Sequence, residues 1–366
     1  MYGVRKSVLG LNISSYAQQN HLPKDLSNLV DCSSGINPLG FSEKIKIALR
    51  DTPEEIINLY PESNINIKTG IIKFWSDLIK LKENQIILGD GAIELIYKIN
   101  KLFINKTSRV LGYSPQFSDY IDDIRSYGGV YDNYLMSIEN NFEFDVNLFL
   151  EKMNGEYRLF YIDNPNNPTG QVIPIESIEK IVKRAYDLGV AIIIDEAYGD
   201  FINNRDSATT LINEYSNLII LRTFSKGLGL AGVRAAYMIT SNELAKEYLK
   251  IANPYEMSGI ARYLAVVALE DGDFIKESIK TMSLYKERFI NSLKKLIVLK
   301  TDMAVPIMTL KHENPEVDLE NFLLDNKIIS VSGRGFIGLG QNFVRVRICE
   351  DIDSLIDNFQ YAEKKI

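Results

Sequence analysis

The stretch that decides the fold is Val190-Ala-Ile-Ile-Ile-Asp195-Glu-Ala-Tyr198, in which five apolar residues are followed at once by an acid. An uninterrupted apolar run of this length is typical of a parallel strand that is buried on both faces. Such a strand delivers Asp195 to its carboxyl end, which is the edge at which open α/β sheets bind their ligands. The sequence therefore predicts a buried strand that ends in a functional carboxylate.

A second segment, Asp163-Asn-Pro-Asn-Asn167-Pro-Thr-Gly170, comes directly after the apolar run Leu159–Ile162. Prolines and asparagines fix tight turns, and a fixed turn can aim a side-chain amide such as that of Asn167. Because this turn also follows a predicted strand, we expect Asn167 to belong to the same site as Asp195.

A third segment, Thr223-Phe-Ser-Lys-Gly-Leu-Gly-Leu-Ala-Gly-Val-Arg234, follows another short apolar run. It places Lys226 at the mouth of a strand, with hydroxyl groups before it and an arginine after it. Thr223, Ser225 and Arg234 are suited to hold an anion by charge-assisted hydrogen bonds. The segment therefore predicts an amine beside a phosphate group.

Segments with the pattern of helices alternate with segments that read as strands. The predicted helices are 146–153 and 175–188, and the predicted strands are 158–162, 190–194, 218–222 and 235–239. This alternation is typical of a largely parallel sheet with helices on both faces. We expect residues 1 to about 30 to form an arm with a short helix. We expect a large domain of residues 41–258 and a smaller α+β domain made of 1–40 and 259–366.

Composition narrows the class of protein. A chain of 366 residues with 46% hydrophobic and 24% charged residues is typical of a two-domain globular protein. The net charge of −7 argues against a nucleic-acid-binding surface, which is basic. The two cysteines and two histidines lack the spacing of a metal site, so we expect no bound metal. No apolar run is long enough for a membrane span and the N-terminus lacks a signal-peptide core, so we expect a cytoplasmic enzyme.

The three segments together fit one kind of chemistry. In that chemistry a lysine forms a Schiff base, an acid faces a pyridinium nitrogen, and hydrogen-bond donors bind a phenolate and a phosphate. On these motifs the sequence resembles the fold-type I aminotransferases, which use pyridoxal phosphate. The nearest branch is that of histidinol-phosphate aminotransferase and threonine-phosphate decarboxylase. The resemblance implies a mostly parallel seven-stranded sheet between helices in the large domain, a smaller α+β domain, and a small-molecule amino-acid substrate.

The resemblance also implies roles for individual residues around pyridoxal phosphate. Lys226 would bind the cofactor and shuttle the proton, Asp195 would face the ring nitrogen, and Asn167 and Tyr198 would bind the 3-hydroxyl group. The residues implied for the phosphate group are Gly91 and Ala92 at a glycine turn before a helix, with Thr223, Ser225 and Arg234. Phe117 would stack on the ring, with Tyr113 as the competing assignment. Tyr60, of a Tyr-Pro pair, would reach the phosphate of the neighbouring subunit, which implies a homodimer.

The resemblance also implies residues that bind the substrate. Arg345, in Asn342-Phe-Val-Arg-Val-Arg-Ile348, resembles the arginine that clamps a carboxylate, a task suited to a bidentate guanidinium. Arg347 is the alternative, since residues two apart on a strand face the same side. Asn37, in the family's Asn-Pro-Leu-Gly signature, is a further candidate. The phosphate-handling relatives carry an arginine where this chain has Val331, and Arg334 is the candidate to replace it from the adjacent loop.

The favoured function is therefore an aminotransferase acting on an amino acid or an amine derived from one. The alternatives are a decarboxylase of a phosphorylated amino acid and a specialised biosynthetic enzyme. Ile36 occupies the position before Asn37 as in the decarboxylase branch, but the early His-Gly-Gly of that branch is missing. Two Gly-x-Gly-x-x-Gly matches, at 227–232 and 333–338, lack the strand, helix or acid that a dinucleotide site needs.

Overall fold

The computed structural model describes residues 2–11, 29–61 and 66–366. The short helix predicted in the N-terminal arm falls mostly on residues outside these ranges. The helices are α1 Glu43–Arg50, α2 Glu54–Asn58, α3 Ile67–Trp75, α4 Ala92–Phe103, α5 Asp119–Ser126, α6 Val146–Lys152, α7 Ile175–Asp187, α8 Asn242–Leu249, α9 Gly259–Leu269, α10 Gly272–Ser292, α11 Leu319–Asp325 and α12 Ile352–Glu363. Within the described ranges, none of these helices is long and apolar enough to cross a membrane.

The strands form one large sheet and two small ones. They are β1 Val30–Asp31, β2 Ile86–Gly89, β3 Arg109–Ser114, β4 Val130–Leu135, β5 Leu159–Asp163, β6 Ala191–Asp195, β7 Leu218–Thr223, β8 Ala236–Thr240, β9 Ile297–Val298, β10 Ile307–Lys311, β11 Ile328–Ile329, β12 Val331–Ser332 and β13 Phe343–Arg347. The large sheet has the order β2-β8-β7-β6-β5-β3-β4. In it β8 runs antiparallel to both neighbours and the remaining pairs are parallel. The predicted mostly parallel, seven-stranded sheet is confirmed.

The large sheet is buried on both faces, which explains why its central strands are apolar throughout. Ile192 and Ile194 of β6 point into one hydrophobic core, whereas Ile193 between them points into the core on the opposite face. This alternation is the two-residue period of a strand applied to a sheet with two covered faces. Polar side chains are consequently displaced to the strand ends, where the site is built.

A third core lies under the antiparallel sheet β12-β13-β10-β9. Met282 and Phe289 of α10 pack there with residues of β10, β13 and α12. Helix α9, in contrast, inserts Ala261 and Leu264 into the core of the large sheet, where it packs against α1 and α3. We therefore propose that the large domain extends through α9, past the predicted boundary at residue 258.

A buried ion network links two segments of the large domain. The Arg222 guanidinium donates to Glu196 Oε2 at 3.0 Å and to Asp200 Oδ1 at 2.7 Å, and lies 5.2 Å from the ring centroid of Trp75. The side chain of Arg222 is almost completely buried. Charges this deep are tolerated only when they are paired, because their desolvation is costly.

We predict that Arg222→Met lowers the free energy of unfolding by about 3–5 kcal/mol, since it leaves two buried carboxylates without their cation. Urea unfolding of the apoprotein, followed by circular dichroism, measures the change. Lys183→Met is the control, because it removes an exposed ion pair with Asp187 and is expected to have little effect. Equal losses in the two variants would contradict the assigned importance of the network.

Candidate active site

A cavity of about 390 Å³ opens at the carboxyl ends of β5, β6 and β7. These strands deliver Asp163, Asp195 and Thr223 to its wall, and the loop after β7 contributes Lys226. The remaining lining residues are Ala92, Ile93, Ile96, Phe117, Asp119, Pro165, Asn167, Ala197, Tyr198, Ser225, Ala231 and Arg234. The three sequence segments that suggested a site therefore meet in one cavity.

Lys226 lies in an environment that favours its neutral amine. Its Nζ is 5.4 Å from the ring centroid of Tyr198. Burial lowers the pKa of Lys226 to about 8, and the positive charges of Arg345 and Arg234 contribute to the same shift. The nearby Asp195 carboxylate opposes the shift. The result is an amine that a modest rise in pH makes nucleophilic, which suits a Schiff-base lysine.

Asp195 is an almost completely buried acid at the end of β6. Its Oδ2 accepts a hydrogen bond from the Tyr161 hydroxyl at 2.5 Å, and its Oδ1 accepts from the backbone N–H of Ala197 at 3.0 Å. Burial, aided by the charge of Asp163, raises the pKa of Asp195 to about 6, while the Tyr161 hydrogen bond acts in the opposite direction. Asp195 therefore remains mainly ionised at neutral pH.

Asp163 holds together two loops of the cavity wall. Its Oδ2 accepts from the backbone N–H groups of Asn167 at 2.9 Å and Phe117 at 3.3 Å. Its Oδ1 accepts from the Tyr113 hydroxyl at 2.6 Å. Phe117 lines the cavity, whereas Tyr113 lies buried behind Asp163 and is not among the lining residues. Of the two aromatic residues that the sequence offered for stacking, only Phe117 therefore lies in the cavity wall.

Another group of residues at the cavity is chemically suited to bind an anion. Gly91 adopts φ +89°, and a Cβ atom there would lie 2.1 Å from Nη2 of Arg234, so only glycine allows this close approach. Helix α4 begins at the next residue, Ala92, which brings free N–H groups and the positive end of the helix dipole to the cavity. Thr223 Oγ1 and Ser225 Oγ are 2.9 Å apart on the same wall.

Arg345 and Arg347 have different surroundings although they lie on the same strand. Arg345 is buried, and it donates to Asn167 Oδ1 at 2.9 Å and to the carbonyl of Ser33 at 2.5 Å. Arg347 lies at the end of β13 and donates to the carbonyl of Asp31 at 3.1 Å. Only Arg345 is therefore connected to a residue that lines the cavity.

Five predicted residues are not among those that line the cavity: Gly91 and Arg345, described above, and Asn37, Arg334 and Tyr60. Asn37 donates to the carbonyl of Gly227 at 2.8 Å and to Ser278 Oγ at 3.0 Å, and it accepts from the N–H of Leu39. Arg334 donates to Asp318 Oδ2 at 2.7 Å, and its side chain is half exposed. Tyr60 is 72% exposed. It stacks on an exposed tyrosine with ring centroids 4.6 Å apart.

Sequence reasoning gave no role to Tyr161 or Asp163. Tyr161 stands inside an apolar run, where an aromatic residue indicates core packing and nothing more. Asp163 belongs to the quoted turn, but an acid before Asn-Pro is also an ordinary turn residue. The available signal was their position at the end of a predicted buried strand, which is where charged groups acquire a function.

The donors present fit pyridoxal phosphate. Lys226 supplies an amine of lowered pKa, Asp195 supplies an ionised acid, and the turn at Gly91 with Arg234 forms a cradle that a Cβ atom would fill. Amine, acid and anion cradle share one cavity at the carboxyl edge of a parallel sheet. Fold and site together define the class of pyridoxal-phosphate-dependent transferases of fold type I.

Comparison with known proteins specifies the family. The model for class I and II aminotransferases matches residues 27–359. Histidinol-phosphate aminotransferase of Clostridium novyi (strain NT) is 30% identical over 335 residues, which cover 89% of this chain and 90% of the relative. The crystal structure of histidinol-phosphate aminotransferase from Clostridium acetobutylicum is similar with a TM-score of 0.82 at 26% identity, over 92% of this chain and 100% of that one. Aspartate aminotransferase from Thermus thermophilus with maleate shares the fold at 17% identity, with a TM-score of 0.80 over 91% of each chain.

The chain belongs to the class I and II aminotransferases. It is an aminotransferase that uses pyridoxal 5'-phosphate, as the sequence predicted.

The lowered pKa of Lys226 predicts how its reactivity depends on pH. In the apoprotein, the rate at which Lys226 is acylated is expected to rise through pH about 8, because only the neutral amine reacts. Mass spectrometry of the modified peptides follows each lysine separately. Lys183, whose pKa is raised by Asp187, is the control and is expected to react only at higher pH. A common profile for the two lysines would contradict the predicted shift.

Proposed function

We propose that Lys226 is the residue that binds the cofactor and then moves the proton at the substrate's α-carbon. The observation that carries this proposal is the lowered pKa of Lys226, to about 8, in a cavity that also contains Asp195 and Arg234. A proton carrier works best when its pKa lies near the operating pH. When bound, pyridoxal phosphate supplies the electron sink that stabilises charge at that carbon.

The other residues of the cavity bind, orient and charge-balance the cofactor in this proposal. Asp195 would face the ring nitrogen as a carboxylate, and Phe117 would stack on the ring. Asn167 and Tyr198, both buried beside the cavity, are the donors for the 3-hydroxyl group. The anion cradle for the phosphate group consists of Gly91, Ala92, Thr223, Ser225 and Arg234.

For the substrate, we propose an amino acid or an amine derived from one, with Arg345 as the group that meets its anionic end. Arg345 is buried and tied to Asn167, so a substrate carboxylate would compete for a guanidinium that is already oriented. Histidinol phosphate is the first donor to test, because relatives over most of the chain carry that name. Val331, which pairs with Arg345 across β12 and β13, adds no positive charge to this part of the site.

We also propose a homodimer in which Tyr60 enters the neighbouring site. Tyr60 is not part of the cavity wall of its own chain, although its ring is well exposed. Nearby Ile57 and Leu59 are exposed as well, at 71% and 58%, and exposed apolar groups of this density are typical of an interface.

The function predicts a half-reaction without an acceptor. Mixed with histidinol phosphate or with one amino acid of a panel, the holoenzyme is expected to release one equivalent of the oxo product. Lys226→Ala is expected to slow this step at least about 10²-fold, because the general base is lost. Stopped-flow absorbance with product analysis measures both. Lys183→Ala is the surface control, and release of carbon dioxide in place of an oxo product would contradict aminotransfer.

The dimer predicts complementation between two inactive variants. Lys226→Ala and Tyr60→Ala homodimers, unfolded together and refolded as a mixture, would yield mixed dimers with one intact site each. The mixture is then expected to recover about a quarter of wild-type activity, because half of the dimers are mixed in an isologous assembly. A monomer by light scattering at micromolar concentration, or a mixture without recovery, would contradict the placement of Tyr60 in the partner's site.

A further inference from the structure

Tyr161 makes a short hydrogen bond to the acid of the site. Its hydroxyl lies 2.5 Å from Asp195 Oδ2, and both residues are buried. Tyr161 extends from β5 and Asp195 ends the adjacent strand β6, so two strands of the rigid central sheet fix the distance between donor and acceptor. Hydrogen bonds to a charged acceptor of this kind are stronger than neutral ones.

The ring of Tyr161 is held in place by a second tyrosine. Tyr120 stacks on it with ring centroids 3.7 Å apart and an interplanar angle of 14°. The hydroxyl of Tyr120 is itself oriented, since it donates to Gln116 Oε1 at 2.6 Å. Tyr161 therefore presents its hydroxyl to Asp195 from a fixed position, and Tyr120 carries the same chemical group one ring away from the acid.

The charges around Asp195 have opposing effects on its ionisation. Asp163 on β5 is its register partner, and Glu196 is its chain neighbour; both acids disfavour a second negative charge. Lys226 faces Asp195 from the loop after β7 and favours that charge when protonated. Tyr161 donates a hydrogen bond to Asp195, and this donation lowers the pKa of the acid.

We propose that Tyr161 is a positioning residue for aminotransfer, because its hydroxyl holds Asp195 as an oriented carboxylate and thereby keeps the shared proton on the ring nitrogen of the cofactor. This inference rests on the assignment of Asp195 under the proposed function. Without the phenol, Asp195 would be the stronger base and would take up the proton that it shares with the ring nitrogen. The proton only changes its location between two atoms, so no further reactant is required.

Nuclear magnetic resonance of the holoenzyme loaded with ring-¹⁵N pyridoxal phosphate tests the proposal directly, since the ¹⁵N shift reports whether the nitrogen is protonated. Tyr161→Phe is expected to lower the pH at which the nitrogen loses its proton by about one to two units, a tenfold to hundredfold change in the equilibrium. Tyr120→Phe, the matched control, removes a buried hydroxyl from the stacked ring and is expected to leave that pH unchanged. Equal behaviour of the two variants would overturn the role of Tyr161.

Two further variants separate this inference from the function on which it rests. Asp195→Asn must lower the same transition; if it does not, the assignment of Asp195 is wrong and the role of Tyr161 falls with it. If Asp195→Asn lowers it and Tyr161→Phe does not, only the role of Tyr161 is overturned. If Tyr161→Phe does not fold, 3-fluorotyrosine incorporated at position 161 tests the proposal instead. This side chain is a stronger hydrogen-bond donor, so it is expected to raise the pH at which the ring nitrogen loses its proton. An unchanged or lower pH would overturn the proposal.

Discussion

Two carboxylates, those of Asp163 and Asp195, end neighbouring parallel strands in register, and the site depends on the donors that satisfy them. Each accepts a tyrosine hydroxyl and at least one backbone N–H group. A buried acid without such donors would become neutral or destabilise the fold. The same contacts that satisfy Asp163 fix the turn of Asn167 and the loop of Phe117, so the electrostatic requirement also shapes the cavity wall.

The environment of Lys226 shifts its pKa downward, which is opposite to the upward shift at Asp195. Arg345 and Arg234 lower the pKa of Lys226, and burial lowers it further. Asp195 remains ionised at neutral pH although it is buried. Lys226, in contrast, loses its proton at a lower pH than a surface lysine. Titratable groups with perturbed pKa values cluster at functional sites, and these two line the same cavity. The fold achieves this by placing both at the carboxyl edge of one sheet.

The parts of this arrangement that follow from local sequence were predictable. The apolar runs of β5, β6 and β7 predict strands that are buried on both faces. The polar residues that follow these runs predict the position of the site. Short or half-exposed strands such as β1 and β4 gave no such signal, because two residues have no period and β4 alternates irregularly. Asn37 and Arg334 matched expected positions, but their direction depends on partners distant in sequence, Gly227 and Asp318, which no local pattern reveals.

The backbone next to Lys226 is clamped from several parts of the chain. The carbonyl of Gly227 accepts from Asn37, whose amide also contacts Ser278 of α10 at 3.0 Å. The N–H of Gly227 donates to Asp200, which is in turn bound by Arg222 of the buried ion network. A Cβ atom at Gly227 would lie 2.3 Å from Asp200, so glycine is required for this contact. The deeply buried charges thus have a geometric consequence at the surface of the cavity, because they fix the main chain from which Lys226 extends.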